Sequence, residues 1–436
     1  MNDHQVSSLN AFVDTHQEEA IEFLRHLIGF DSTFVNQGVL GHEFGIQQWL
    51  EERLCEWGFE TCLFEPDNEK IKGYADFNPG HDYRGRPNLV ARWRGGGAGR
   101  SLILNGHVDT VPLGERKLWL HEPLGGEIAD GKLYGRGAAD MKAGLAAMIL
   151  AVRYLCQAGF ELRGDVLIQS VVDEEGGGNG TLACVAEGYT ADGAIVTEPS
   201  GLRIFPASRG VFLLRIDVEG RASHAALKWN GVNAIEKAMR IVQGLAELEH
   251  RWLALRKNPL LPSPTITIGQ IEGGIGGAVV PDQCSMRFDV KYLPVEVDRD
   301  GVEQHIVGSM VQEEVEAWIR RICSGDEWLS AHPPKLSWYL HVLPHYTDPN
   351  HPLVDCLRGA SNIVTGQNVV SGMPSGADAR ILQGAGRIPT VIFGPGYLEQ
   401  AHTIDEFVSI EQYLQAIKVL ALATEAWTSG ADGCLA

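Results

Sequence analysis

Residues 165–180 read DVLIQSVVDEEGGGNG. The run from Val166 to Val172 is almost wholly apolar and does not alternate with polar residues. An apolar run of this length that stops at charges and glycines predicts a strand buried on both faces, as in a sheet covered by helices. It ends in three adjacent carboxylates, Asp173, Glu174 and Glu175, followed by three glycines. Four more runs share its character: NLVARW (88–93), SLILNGHVD (101–109), GAIVTEP (193–199) and PTVIFGPG (389–396). Stretches with helical spacing lie around and between them, EEAIEFLRHLIGF (18–30), GIQQWLEERLCEWGF (45–59) and MKAGLAAMILAVRYLCQAG (141–159). Gly58 stands where a left-handed helix cap is easily formed. Strand and helix therefore alternate, which predicts the α/β class with a covered sheet over residues 1–207.

From residue 208 the pattern changes to strand GVFLLRIDVEG, helix GVNAIEKAMRIVQGLAELEHRWLAL, strands TITIGQIEGG and CSMRFDVKYLP, helix RDGVEQHIVGSMVQEEVEAWIRRI and strand KLSWYLHVLP. This βαββαβ order predicts a separate ferredoxin-like α+β domain over residues 208–344. After Pro344 the first style returns, with a helix from PLVDCLRGASNIV and a last helix whose Ser409 and Gln412 fit a capping box. The expected organisation is one domain of residues 1–207 and 345–436 interrupted by the other.

The 436 residues carry a formal net charge of -20 with 44% hydrophobic and 21% charged residues. That acidity argues against nucleic acid and anionic membrane surfaces as partners, because both require clustered Lys and Arg. The N-terminal stretch is polar and acidic and no long apolar segment follows, so a cytoplasmic protein is expected. The eight cysteines (Cys55, Cys62, Cys156, Cys184, Cys284, Cys323, Cys356, Cys434) form no C-x-x-C pairs and read as reduced thiols.

Chemistry-bearing residues gather at the predicted strand ends, where sites form in α/β sheets. NGHVD supplies His107 and Asp109; on an extended strand these share a face, so the Asp109 carboxylate is expected to orient the imidazole. VTEPS supplies Glu198, the glycine-rich YGRGAADMKAG supplies Asp140, and the loop GPGYLEQAHTIDEF supplies His402. Each has an ordinary reading alone: Asp140 as a helix N-cap, the histidines as hydrogen-bonded loop residues, Glu174 and Glu175 as a solvated strand end.

Taken in order, GHVDTVP, GRGAADMKAG, DEEGGGNGT, TEPSG and AHTIDE resemble the motifs of the dinuclear zinc amidohydrolase and peptidase family that includes acetylornithine deacetylase, succinyl-diaminopimelate desuccinylase, aminoacylase and carboxypeptidase G. The resemblance covers nearly the whole chain and implies a zinc-peptidase-like catalytic domain, a mixed sheet flanked by helices, with an inserted ferredoxin-like lid and dimerisation domain. It implies that His107, Asp140 and Glu198 bind one metal, and Asp140, Glu175 and His402 a second. Asp140 then bridges, and Glu174 is the general base. It further implies a homodimer in which His224, in RASHAAL, reaches the oxyanion from the partner subunit, and substrate-facing arginines at Arg380 and Arg287. PSGAD (374–378) departs from the family's Gly-Thr-Asp, and Lys291 stands where the family has a second arginine.

The chemistry fits. Three carboxylates against two divalent cations leave a net charge that a bridging hydroxide neutralises, and a carboxylate beside that water can move its proton. Imidazole and carboxylate donors without thiolate suit Zn, with Co or Mn able to substitute. The expected reaction is hydrolysis of a small N-acylated amine, most simply an N-acyl amino acid as in acetylornithine deacetylase. The alternatives are deformylation of an N-formyl-aminopyrimidine, desuccinylation, dipeptidase or carboxypeptidase action, and an inactive metal-binding protein.

Overall fold

The computed structural model describes residues 2–34, 42–297 and 302–430. By internal contacts the chain divides into two compact units, Met1–Pro206 with Thr347–Gly372 and Ala377–Ala436, and Ala207–Tyr346 with Met373–Gly376.

The first unit is built on an eight-stranded mixed sheet. Its order is Glu60–Phe64, Asn88–Trp93, Val166–Val171, Leu102–His107, Ala194–Val196, Thr390–Ile392, Ile204–Ser208 and Val370–Met373. The strands Val166–Val171, Leu102–His107, Ala194–Val196 and Thr390–Ile392 run parallel to one another, while Asn88–Trp93 and Ile204–Ser208 join them antiparallel. Val166–Val171 and Leu102–His107 are buried at every residue, which is why their sequences run apolar rather than alternate. Helices Gln17–Ile28, Phe44–Glu56, Ala143–Gln157 and Ile410–Thr428 flank this sheet and share its hydrophobic core. Ala143–Gln157 is apolar nearly all round, as a helix packed between sheet and further helices must be. It comes so close to the sheet that a Cβ on Gly144 would lie 1.8 Å from the Thr197 carbonyl oxygen. Each fully buried Leu or Ile of this core contributes about 1.5–3 kcal/mol.

The second unit has a four-stranded antiparallel sheet ordered Thr265–Gly273, Gln283–Tyr292, Gly210–Glu219, Lys335–Val342. With helices Ala234–Leu255 and Gly308–Ser324 between its strands, the chain order is the βαββαβ of the sequence pattern. Gly210–Glu219 and Gln283–Tyr292 alternate buried and accessible residues, so one sheet face is covered by the two helices. Phe212, Leu214, Ile216, Met286, Phe288 and Val290 meet Ile241, Leu245, Val311 and Val315 in that core.

Two local expectations need correction. The helix expected from residue 299 begins at Gly308; Glu303–His305 instead pairs with Val295–Val297, and residues 299–301 lie outside the described set. Ser409 does cap the last helix, accepting from the Gln412 amide, but the Gln412 side chain accepts from the Gly396 amide rather than closing the box. Seven cysteines are free thiols; Cys434 lies outside the described residues. Gly58 has φ +91°, as its cap position requires. Among the described residues no helix is long and apolar enough to cross a membrane.

Candidate metal centre

The four parallel strands deliver their carboxyl ends to one edge. His107 closes Leu102–His107 in register with Val171; two residues beyond Val171 begin Asp173, Glu174 and Glu175. Glu198 follows Ala194–Val196 by two residues, and His402 lies in the loop after Thr390–Ile392. Asp140 arrives from the kinked turn Ala138–Lys142 that opens the helix Ala143–Gln157. It makes no side-chain cap bond there, so the N-cap reading of Asp140 fails.

Asp140 is the centre of the arrangement. Its Oδ1 lies 3.1 Å from His107 Nε2 and its Oδ2 3.4 Å from His402 Nε2. His402 Nε2 is also 3.0 Å from Glu175 Oε1, and His107 Nε2 is 3.8 Å from Glu198 Oε1. Donor atoms of His107, Asp140 and Glu175 all lie within 4.8 Å of one another, as do those of His107, Glu174 and Glu198. The five sequence-predicted ligands and Glu174 are therefore brought together. Neither cluster is one of the expected triads: the first holds His107 in the place of His402, and the second holds Glu174 in the place of Asp140.

Electrostatics match a site built for cations. Burial and the charge of Asp378 push the Glu174 carboxyl well above the usual range, and burial with the neighbouring Asp140 does the same to Glu198. Burial opposes the charge on Asp140, but its bonds to His107 and His402 hold it below the usual carboxylate range. Hydrogen bonds to Asp140 and Glu175 raise His402 to about 10. Crowded buried carboxylates of this kind, with imidazoles between them and no thiolate, suit divalent ions that take oxygen and nitrogen ligands.

Asp109 acts differently from the sequence expectation. The strand ends at His107, so the alternation argument does not extend to Asp109. His107 Nδ1 donates to the Asp109 backbone carbonyl at 2.8 Å, and the carboxylate instead accepts the amides of Glu174 and Glu175 at 3.2 and 3.1 Å. Burial raises this carboxyl to about 8, against the opposing pull of His107. Asp109 thus fixes both the ring and the loop that carries Glu174 and Glu175.

Asp173 does not bond to the glycine-loop amides through its side chain. At φ +69° it turns inward, where its carboxylate accepts from Tyr83 Oη at 2.7 Å and His81 Nδ1 at 2.9 Å. Arg86, paired with the buried Glu43, stands 3.7 Å away. Arg380 is also inward: 6% exposed, it donates to the carbonyls of Gly177 at 2.7 Å and Ala377 at 3.2 Å and faces Asp76 and Asp378. It ties the glycine loop to the segment 377–380. His224 and Arg287 belong to the second unit and are exposed. His224 Nδ1 accepts the Ala226 amide at 3.1 Å, which leaves the proton on Nε2. Arg287 lines an open hollow of about 550 Å³ with Arg215, Lys335 and Tyr339.

Two residues of the quoted motifs were given no role by sequence reasoning. Glu406 Oε1 accepts the amides of Ala139 and Asp140 at 2.9 and 3.0 Å, and Oε2 pairs with Arg136 at 2.7 Å. The signal available was a pair of opposite charges, each four residues from an expected ligand, in glycine-rich or loop sequence.

Comparison with known proteins finds likeness over most of the chain. The pattern of Peptidase family M20/M25/M40 matches residues 103–426. The chain is 32% identical over 451 residues to the N-formyl-4-amino-5-aminomethyl-2-methylpyrimidine deformylase of Bacillus subtilis, covering 98% of this chain and 99% of that one. It is 30% identical over 391 residues to the acetylornithine deacetylase of Vibrio vulnificus, covering 86% and 90%. Among solved structures, aminopeptidase PepT from Bacillus cereus superposes with a TM-score of 0.70 at 22% identity, covering 94% of this chain and 98% of that one. The YXEP protein of Bacillus subtilis, described as a dinuclear metal binding peptidase, gives 0.61 at 18% identity over 94% and 98%. These structural likenesses establish the shared fold.

Proposed function

This chain belongs to peptidase family M20/M25/M40 and is a metal-dependent amidohydrolase, and from that premise we propose that it deformylates an N-formylated aminomethylpyrimidine, releasing formate and the free amine. The observation that carries the substrate is the end-to-end correspondence with the deformylase, 98% of this chain at 32% identity. The similarity to acetylornithine deacetylase spans less of both chains, so the comparisons favour the deformylase alternative over the N-acyl amino acid first expected. The inward, committed Arg380 supports the same choice, since an aminopyrimidine has no α-carboxylate for an arginine fork to bind.

His107, Asp140 and Glu198 hold one divalent ion in this proposal, and Asp140, Glu175 and His402 hold the other, with Zn first and Co or Mn as substitutes. When bound, the pair supplies Lewis-acid polarisation of the formyl carbonyl and an acidified water. Glu174 would take a proton from the attacking water as the water oxygen bonds to the formyl carbon, and would return a proton to the amine nitrogen as the C–N bond breaks. A carboxyl with a raised affinity for protons, as burial and Asp378 make Glu174, suits both halves of that transfer. Asp109 keeps the His107 ring and the Glu174 backbone in place. His224, with its proton on Nε2, donates to the oxyanion from the partner copy of a homodimer formed through the second unit. The cytoplasm is the proposed location.

The test is kcat/KM for N-formyl-4-amino-5-aminomethyl-2-methylpyrimidine, its N-acetyl counterpart, N-acetylornithine and N-succinyl-diaminopimelate, each with a chelated control. The formyl compound is expected to be preferred over its acetyl counterpart by about 10–200-fold, the range one carbon commands in a fitted pocket. Faster chelation-sensitive release from N-acetylornithine would overturn the substrate assignment.

A further inference from the structure

Arg136 and Glu406 form an ion pair, 3% and 1% exposed, that the hydrolytic steps above do not use. The Glu406 carboxylate accepts three consecutive-loop amides: Oε2 that of Gly137 at 3.1 Å, Oε1 those of Ala139 and Asp140 at 2.9 and 3.0 Å. The Glu406 carbonyl accepts a fourth, from Gly135, at 2.9 Å. Arg136 reaches the other way, donating to the carbonyl of Thr403, the residue after His402, at 3.0 Å and to that of Pro112 at 3.3 Å. One ion pair thus grips the backbone of Asp140 through its anion and the backbone beside His402 through its cation. Those two residues lie far apart in the sequence, yet their side chains meet at 3.4 Å.

We propose that the Arg136–Glu406 pair is a positioning element that sets Asp140 against His402 and thereby sets the affinity of their shared site for a divalent ion. The inference rests on the metal-centre reading above. Metal ligands must be held within about 0.5 Å of their working geometry, and a carboxylate bonded to a ligand's own amide is a direct way to do so. Groups that orient ligands in this manner are worth about 10–100-fold in metal affinity when lost.

The experiment titrates Co²⁺ into the metal-stripped full chain and into Glu406→Gln and Arg136→Lys, reading affinity by competition with a chelator and ligand geometry by the Co²⁺ visible absorption bands. Glu406→Gln keeps one acceptor oxygen but turns an NH₂ towards the Gly137 amide and Arg136; Arg136→Lys keeps the charge and loses the fork that spans Glu406 and the Thr403 carbonyl. Each is expected to bind Co²⁺ about 10–100-fold more weakly with altered bands, while its circular dichroism stays that of the parent. Parental affinity and bands in a folded Glu406→Gln overturn the proposal. Where that variant does not fold, Arg136→Lys decides by the same criterion. A parent chain that binds no Co²⁺ sinks the metal-centre reading itself, a result distinct from variants that match a binding parent.

Discussion

The two oxygens of Asp140 face different histidines, Oδ1 towards His107 and Oδ2 towards His402, the arrangement that the proposed bridging role requires. Glu174 sits beside them with its amide tied to Asp109 and its side chain free to carry a proton. Glu174→Gln is therefore expected to lower kcat by about 10²–10⁴ while the protein still binds two metal ions per chain. Parental turnover in that variant contradicts the base assignment. His402 gives a pH signature to the metal-free protein. Its bonds to Asp140 and Glu175 raise its pKa to about 10 from about 6.5 unfolded, so its contribution to stability is fully present below about 6.5 and is lost as pH rises through about 10. Half exposed, it contributes modestly and salt weakens it. Melting of the metal-free chain should fall between pH 7 and pH 10 more than that of the metal-loaded chain, in which His402 is already neutral; parallel curves contradict this. At this scale the clustered residues were legible because His, Asp and Glu stand out at the ends of apolar runs. The Asp109 carboxylate was not, since an alternation rule cannot extend past the strand end at His107. The hold of Arg380 on the glycine loop was not, since its carbonyl partner Gly177 lies 203 positions away.

The glycine loop after Val166–Val171 is the element that turns a strand end into a site. Gly178 has φ +88°, and a Cβ there would lie 2.4 Å from Asp378 Oδ1 and 2.5 Å from Ile381 Cδ1. Gly188 has nearly the same φ, +87°, with nothing within 4 Å, so Gly188→Ala isolates the backbone strain. Gly188→Ala is expected to cost about 1 kcal/mol or somewhat more for a left-handed non-glycine residue, and Gly178→Ala a further 1–3 kcal/mol, roughly, for the overpacking. Urea midpoints measure both; equal losses contradict the crowding argument. Elements were readable wherever burial writes itself into composition. The fully buried strands showed as mainly apolar runs without alternation, and the half-covered strands Gly210–Glu219 and Gln283–Tyr292 carry alternation in their sequences. The start of the helix Gly308–Ser324 was misread because Glu303–His305, exposed throughout, carries no burial pattern to distinguish strand from helix. The role of the Gln412 side chain was missed because its partner, Gly396, lies 16 residues upstream in a loop.

The chain as a whole is a sheet-based unit carrying the candidate metal-ligating residues and a second unit of βαββαβ order carrying His224 and Arg287. If His224 serves the oxyanion, His224→Ala lowers kcat by about 10²–10³ with metal content unchanged, and sedimentation equilibrium finds twice the 47.6 kDa chain mass. Loss of metal in that variant, or full activity from a monomer, contradicts the shared-site arrangement. The central claim is that amide hydrolysis here depends on a dinuclear centre. It is tested most directly by stripping the protein and following formate release from N-formyl-4-amino-5-aminomethyl-2-methylpyrimidine as Zn²⁺ or Co²⁺ is added back in measured equivalents. The account predicts no release from the stripped chain and activity that rises to a break at about two equivalents per chain, as a paired site requires. Release that survives stripping, or that saturates with no metal taken up, contradicts it.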